Sequence, residues 1–164
     1  EGKVLCDFHA HLRITDPLED VLAVIGTPGL VGITQRYQST DYWTYESLIE
    51  EIREEPSFEQ YLFEISVGNL AKYKNGYFAR TQEVATGFTD DGLSDMCHLN
   101  VIGWNDADYF PNFEDPNDFL CLLSKYGIDN VKIGSHSGHL LHKPGTDNRK
   151  IKRSFRIYYG EKVR

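Results

Sequence analysis

A chain of 164 residues that is 40% hydrophobic and 26% charged has the balance of one ordinary globular domain, which excludes a disordered or fibrous chain. No run approaches the roughly 20 apolar residues of a membrane-spanning helix, and three widely spaced cysteines, Cys6, Cys97 and Cys121, point to a reducing, cytoplasmic setting rather than a disulfide framework. The net charge of −8 is uneven: residues 149–164 hold seven Lys/Arg and one Glu, so the remaining body is acidic and ill suited to broad nucleic-acid binding.

Val4-Leu5-Cys6-Asp7-Phe8 is short, apolar and β-prone, and it runs into His9-Ala10-His11, so a buried strand would carry a polar pair at its C-terminal end. Asp16 as N-cap and Pro17 at the first helical position open a helix through Leu18, Val21, Leu22 and Ile25, stopped by Gly26-Thr27-Pro28-Gly29. A second strand, Leu30-Val31-Gly32-Ile33-Thr34, completes a β-α-β unit and implies a parallel pair. Arg36 to Trp43 reads as a polar, aromatic loop at the same edge as the histidines. Thr44-Tyr45-Glu46-Ser47 starts an amphipathic helix with Leu48, Ile49 and Ile52 on its apolar side, ending near Pro56.

The β-prone stretches Tyr61 to Val67 and Gly76 to Thr86 flank the turn-like Lys72-Tyr73-Lys74-Asn75-Gly76 and fit either a hairpin or two barrel strands. A strand over His98 to Trp104, a helix over Asp115 to Tyr126 and a strand over Asn130 to Gly134 follow, and a last β-prone piece spans Ser154 to Tyr159. Nothing divides the chain, so residues 1–164 are expected to form a single domain.

All six histidines fall at or just beyond the edges of these strands, as His9/His11, His98, His136/His139 and His142. Neutral imidazole is the commonest protein ligand for Zn, Mn and Fe, and strand ends hold ligands rigidly. Residues i and i+2 of an extended backbone point to one side, so His9 and His11 can grip one ion together. Strand, His-x-His, helix, then strands with single histidines is the order of a (β/α) barrel hydrolase.

These residues resemble the PHP (polymerase and histidinol phosphatase) family of metal-dependent phosphoesterases. The resemblance runs through Asp7-Phe8-His9-Ala10-His11-Leu12, Leu30-Val31-Gly32-Ile33-Thr34, Gln82-Glu83-Val84, His98-Leu99-Asn100-Val101-Ile102-Gly103 and Ile133-Gly134-Ser135-His136. It implies a distorted (β/α) barrel of PHP type with two or three divalent ions (Zn, Mn or Fe) at its C-terminal rim; the family's last Asp-x-His motif has no match after residue 142, so either a shortened variant or an incomplete chain is expected. By position, His9 and His11 would ligate a first ion, Glu83 would bridge it to a second, and His98 and His136 would hold that second ion. Two such ions would activate water against the phosphorus of a small phosphate ester or nucleotide.

Gln35-Arg36 stands where the family has Asp-His, and neither side chain suits a hard dication, so the family's third ion is not expected. Arg36 would instead grip phosphate oxygens as a bidentate donor, or else form a structural salt bridge. Two other readings compete. One is an amidohydrolase-type metal hydrolase, for which Asp147 would have to serve as the late aspartate. The other is a PHP-derived binding domain that has lost turnover.

Overall fold

The computed structural model describes residues 2, 4–36, 40–90, 93–102, 109, 110, 118, 121, 122 and 132–135, with the side chains of 85–90, 93–99 and 132–135 outside that description. In chain order its elements are β1 (Cys6–Ala10), α1 (Leu18–Ile25), β2 (Leu30–Arg36), α2 (Tyr45–Glu54), α3 (Pro56–Glu59), β3 (Leu62–Ser66), β4 (Leu70–Tyr73), β5 (Gly76–Asp90), β6 (Leu93–Ile102) and β7 (Lys132–Ser135). Among the described residues the strands form one seven-stranded mixed sheet whose spine is the 15-residue β5.

One edge of β5 pairs in parallel with β2, from Leu30↔Tyr77 to Arg36↔Glu83. Its other edge is shared lengthwise: β4 pairs antiparallel with residues 76–79 and β6 pairs antiparallel with residues 81–90. The β1–β2 pair is parallel, as the β-α-β pattern implies. The barrel expectation is overturned. The sheet is open, and after β2 every new strand pairing except β2 with β5 is antiparallel. The physical reason lies in the connections. A parallel neighbour needs a crossover of a dozen or more residues, whereas β4 turns into β5 through Lys74 and Asn75 alone, with Lys74 at φ 51°.

The helices cover one face of this sheet. Val21, Leu22 and Ile25 of α1 and Tyr45, Leu48, Ile49 and Ile52 of α2 pack on Ile33, Ala71, Tyr73 and Phe78, the helical residues recurring at the spacing of a single stripe. Thr44 caps α2 through a reciprocal box with Ser47, as its start motif suggests. Proline enters α1 one position earlier than expected, with Pro17 itself at the N-cap and Leu18 as first helical residue. Alternation along β5 sends Arg80 and Gln82 to the helical face. There Arg80 Nε meets Glu46 Oε1 at 2.8 Å under the Tyr109 ring, and Gln82 exchanges hydrogen bonds with the Phe110 backbone. Thr81 and Glu83 therefore face the other way, where Thr34 and Thr81 hydroxyls meet at 2.7 Å.

β1 is not the buried strand its composition suggests. Val4, Leu5 and Phe8 are exposed, because among the described residues β1 pairs only with β2 and no helix lies over it. Its register slips between Asp7 and Ala10, and there the backbone presses on β2: a Cβ on Gly32 would lie 2.7 Å from the Phe8 carbonyl oxygen. Residues 118, 121 and 122 are helical, in agreement with the helix expected there, and β7 overlaps the strand expected over Asn130 to Gly134. The strand over Ser154 to Tyr159 and the basic segment 149–164 lie outside the described residues. No described helix is long and apolar enough to cross a membrane.

Two substitutions test this account. Ile52→Ala should lower stability by about 2–5 kcal/mol in chemical denaturation, since Ile52 is fully buried in the helix-to-sheet core. Gly32→Ala should cost about 1–3 kcal/mol by forcing β1 away from β2; an unchanged midpoint would mean β1 is not seated as described.

Candidate metal centre

The irregular register at the end of β1 brings two imidazoles over Glu83. His9 and His11 lie with ring centroids 4.7 Å apart, nearly perpendicular, and both Nε2 atoms turn to the same carboxylate oxygen. His11 Nε2 is 2.7 Å from Glu83 Oε2 and His9 Nε2 is 3.4 Å from it. Glu83 is 2% exposed, against 22% and 21% for the histidines. The carboxylate thus forms the floor of the site and the imidazoles its rim.

The tautomer of His11 follows from its other nitrogen. Nδ1 lies 3.1 Å from the Thr34 carbonyl oxygen, which can only accept, so Nδ1 carries the proton and donates it. Neutral His11 then presents the Nε2 lone pair to a carboxylate. Two acceptors at 2.7 Å require something positive between or upon them, either a second proton on the ring or a cation. A buried carboxylate makes the same demand, because an uncompensated charge at that depth is costly.

His9 shows the same field. The hydrogen bond it gives to the Glu83 carboxylate raises its pKa above the ordinary 6.5, against the opposing effect of burial, and the Glu83 charge, a hydrogen bond to the Asn100 carboxamide oxygen and the Asp7 charge add to the rise. Asp7 also accepts the His9 backbone N–H at 3.0 Å, which fixes the bulged strand end.

Two imidazole nitrogens and one carboxylate oxygen, all within 4.8 Å of one another, make a group that could hold a metal ion. The donor set fits. Two histidines and one carboxylate leave positions for water or substrate, the pattern of catalytic zinc and of open iron sites. Among the described residues this is one site. Of the second ion's expected ligands, His98 stands on β6 opposite Ala85, with its side chain outside the described ones, and His136 lies outside the described residues, as do His139 and His142.

Arg36 ends β2 directly beside Glu83 in the parallel register. Its Nη1 donates to the Tyr42 hydroxyl at 3.3 Å and its Cζ lies 5.9 Å from that ring, which is in turn 5.3 Å from the His11 ring. Tyr42 is held near by the Arg13↔Tyr42 bridge. Sequence reasoning missed Asn100, which is 7% exposed and stands opposite Glu83 on β6. Its signal was a polar residue two positions after His98, set among Leu99, Val101 and Ile102. It also missed the Thr34 carbonyl, because backbone acceptors leave no trace in composition.

Comparison with family models, with curated proteins and with solved structures gives no match to this chain. The candidate metal centre accordingly rests on the geometry of its own side chains.

The raised His9 pKa has a signed consequence for the metal-free protein. The imidazolium interaction with Glu83 contributes its full stability below pH 6.5 and loses it as the pH rises through the higher folded-state value. In chelator, the stability gap between wild type and Glu83→Gln should therefore narrow as the pH rises through and beyond the raised folded-state value. A gap that widens with pH would contradict the pairing.

Proposed function

We propose that this chain is a metal-dependent hydrolase of phosphate esters, acting on a small phosphate ester or nucleotide. The observation that carries the reading is the meeting of His9, His11 and Glu83 around one point. A bound dication there supplies acidity to water and positive charge against a phosphoryl group. The chain's own residues do the rest. His11, locked by Thr34, and His9, held by the Asp7 turn, keep their donor atoms fixed without reorganisation. Glu83 offsets the positive charge from beneath.

Arg36 favours phosphate over an amide or lactone. A guanidinium anchored by Tyr42 at the rim offers paired donors for a phosphate's equatorial oxygens. An amidohydrolase would need its late aspartate from Asp147, which lies outside the described residues. In the fuller form of the proposal Glu83, His98 and His136 would hold a second ion, and the ratio of ions to chains separates the one-ion form from the two-ion form.

One preparation tests the reading. The purified protein should contain about one or two ions per chain, hydrolyse a phosphomonoester or phosphodiester, lose that activity to chelator and regain it with Mn or Zn. His11→Ala should abolish both uptake and turnover. Arg36→Ala should retain the metal while kcat/KM falls about 10–100-fold, the worth of a charge-assisted hydrogen bond. Turnover of a dipeptide or lactone instead would favour the amidohydrolase class, and metal uptake without any turnover would leave a binding domain.

A further inference from the structure

Tyr42 is tied to the chain immediately after His11. The Arg13↔Tyr42 bridge is bracketed by two backbone hydrogen bonds, Trp43 N–H to the Leu12 carbonyl at 2.7 Å and Ile14 N–H to the Asp41 carbonyl at 3.1 Å. Thr44 then caps α2, so the backbone of Tyr42 is held from both sides. Its ring has two close neighbours. The His11 ring lies 5.3 Å away between centroids, and the Arg36 guanidinium carbon lies 5.9 Å from the Tyr42 centroid. Arg36 is the register partner of Glu83 and alternates with Gln35 along β2, so it emerges on the same face as Thr34, Glu83 and the histidines. Arg36 and Tyr42 therefore stand together at the rim of that face.

The hydrogen bond between them has only one sense. A guanidinium carries donors and no acceptor, so Arg36 Nη1 donates and Tyr42 Oη accepts, at 3.3 Å. The phenol proton must point away from Arg36, and among the described residues it has no acceptor. Because Arg36 and His11 already lie against the ring, what Tyr42 offers a ligand is this O–H rather than a stacking surface. An O–H beside a guanidinium is a set of donors for one tetrahedral anion, whose several oxygens both groups can meet at once. A planar carboxylate matches the guanidinium edge alone, whereas a phosphate has a further oxygen for the phenol.

We propose that Tyr42 is a direct phosphate ligand: its hydroxyl donates to one phosphate oxygen while the Arg36 guanidinium donates to others, the two forming one anion-binding unit beside the metal centre. The inference rests on the phosphate-ester reading above and deepens it by naming a residue that recognises the tetrahedral group itself. The backbone bond from Trp43 to Leu12 gives the unit its register with the centre, since Leu12 directly follows His11. Phosphate ligand and metal ligand are thereby held as one body, which keeps the anion aligned without reorganisation.

Titration of inorganic phosphate into the zinc-loaded full chain, followed by phosphorus nuclear magnetic resonance, reads the unit without requiring turnover. Tyr42→Phe keeps the ring and every backbone bond and removes one oxygen. It should weaken phosphate binding about tenfold, the worth of a hydrogen bond to a charged group, while zinc uptake stays at the wild-type level. Repeating the substitution in an Arg36→Ala background separates a ligand from a mere support of Arg36. A phenol that only steadies the guanidinium has nothing left to steady there, so no added loss overturns the proposal, whereas a direct donor still costs several-fold. The crystal structure of the wild-type phosphate complex needs no variant. It should place Tyr42 Oη about 2.5–3.0 Å from a phosphate oxygen, and a separation beyond about 3.5 Å overturns direct ligation. The two levels of argument fail differently. Phosphate binding weakened by Arg36→Ala but unmoved by Tyr42→Phe removes Tyr42 alone, whereas wild type that binds no phosphate removes the phosphate-ester reading and this unit with it.

Discussion

A carboxylate at 2% exposure facing two imidazoles is the constraint around which the rest of the structure is arranged. Glu83 sits in the middle of the longest strand, paired on one side with Arg36 and on the other with Asn100, so its backbone cannot yield. Its charge must be compensated where it is. The compensation comes from β1, which is separated from β5 by β2 in the sheet and reaches Glu83 only because its register slips beside it. Gly32 is what allows that bulge, since any side chain there would occupy the place of the Phe8 carbonyl.

The two faces of the sheet divide the labour. On the helical face, apolar burial under α1 and α2 supplies stability, with the Arg80, Glu46 and Tyr109 cluster and the Gln82 amide holding the later chain against the same surface. On the opposite face, Thr34, Thr81, Glu83 and Asn100 form a polar floor in which the two threonine hydroxyls pair with each other, Glu83 with His11 and Asn100 with the Phe8 carbonyl. A polar floor of that kind contributes little net stability, because each bond replaces one to water. Its value lies in fixing geometry, and the fixed atoms are donors suited to a dication.

The lesson for reading such sequences lies in particular residues. The grouping of His9 and His11 with Glu83 came only by way of the family resemblance, whereas the pairing of β1 with β2, the start of α2 at Thr44 and the apolar stripe of α2 are legible from local periodicity. The open sheet is not. A run such as Gly76 to Thr86 has the same alternation whether its neighbour is parallel or antiparallel, and only the brevity of the Lys74-Asn75 reversal distinguishes them. β1 reads as buried for a related reason: apolar composition records what a strand can bury, and the edge position that leaves Leu5 and Phe8 exposed is a property of the whole sheet.

The sequence by itself determined the opening β-α-β unit and the kinds of atoms available for a metal, since composition and short-range spacing carry that information. Tertiary structure alone decided that β5 would be shared by three neighbours and that Asn100 would stand across from Glu83. It also decided that a backbone carbonyl of Thr34 would set the His11 tautomer. Those outcomes depend on strand register, which is fixed by the packing of entire faces, and no single segment of the chain contains it.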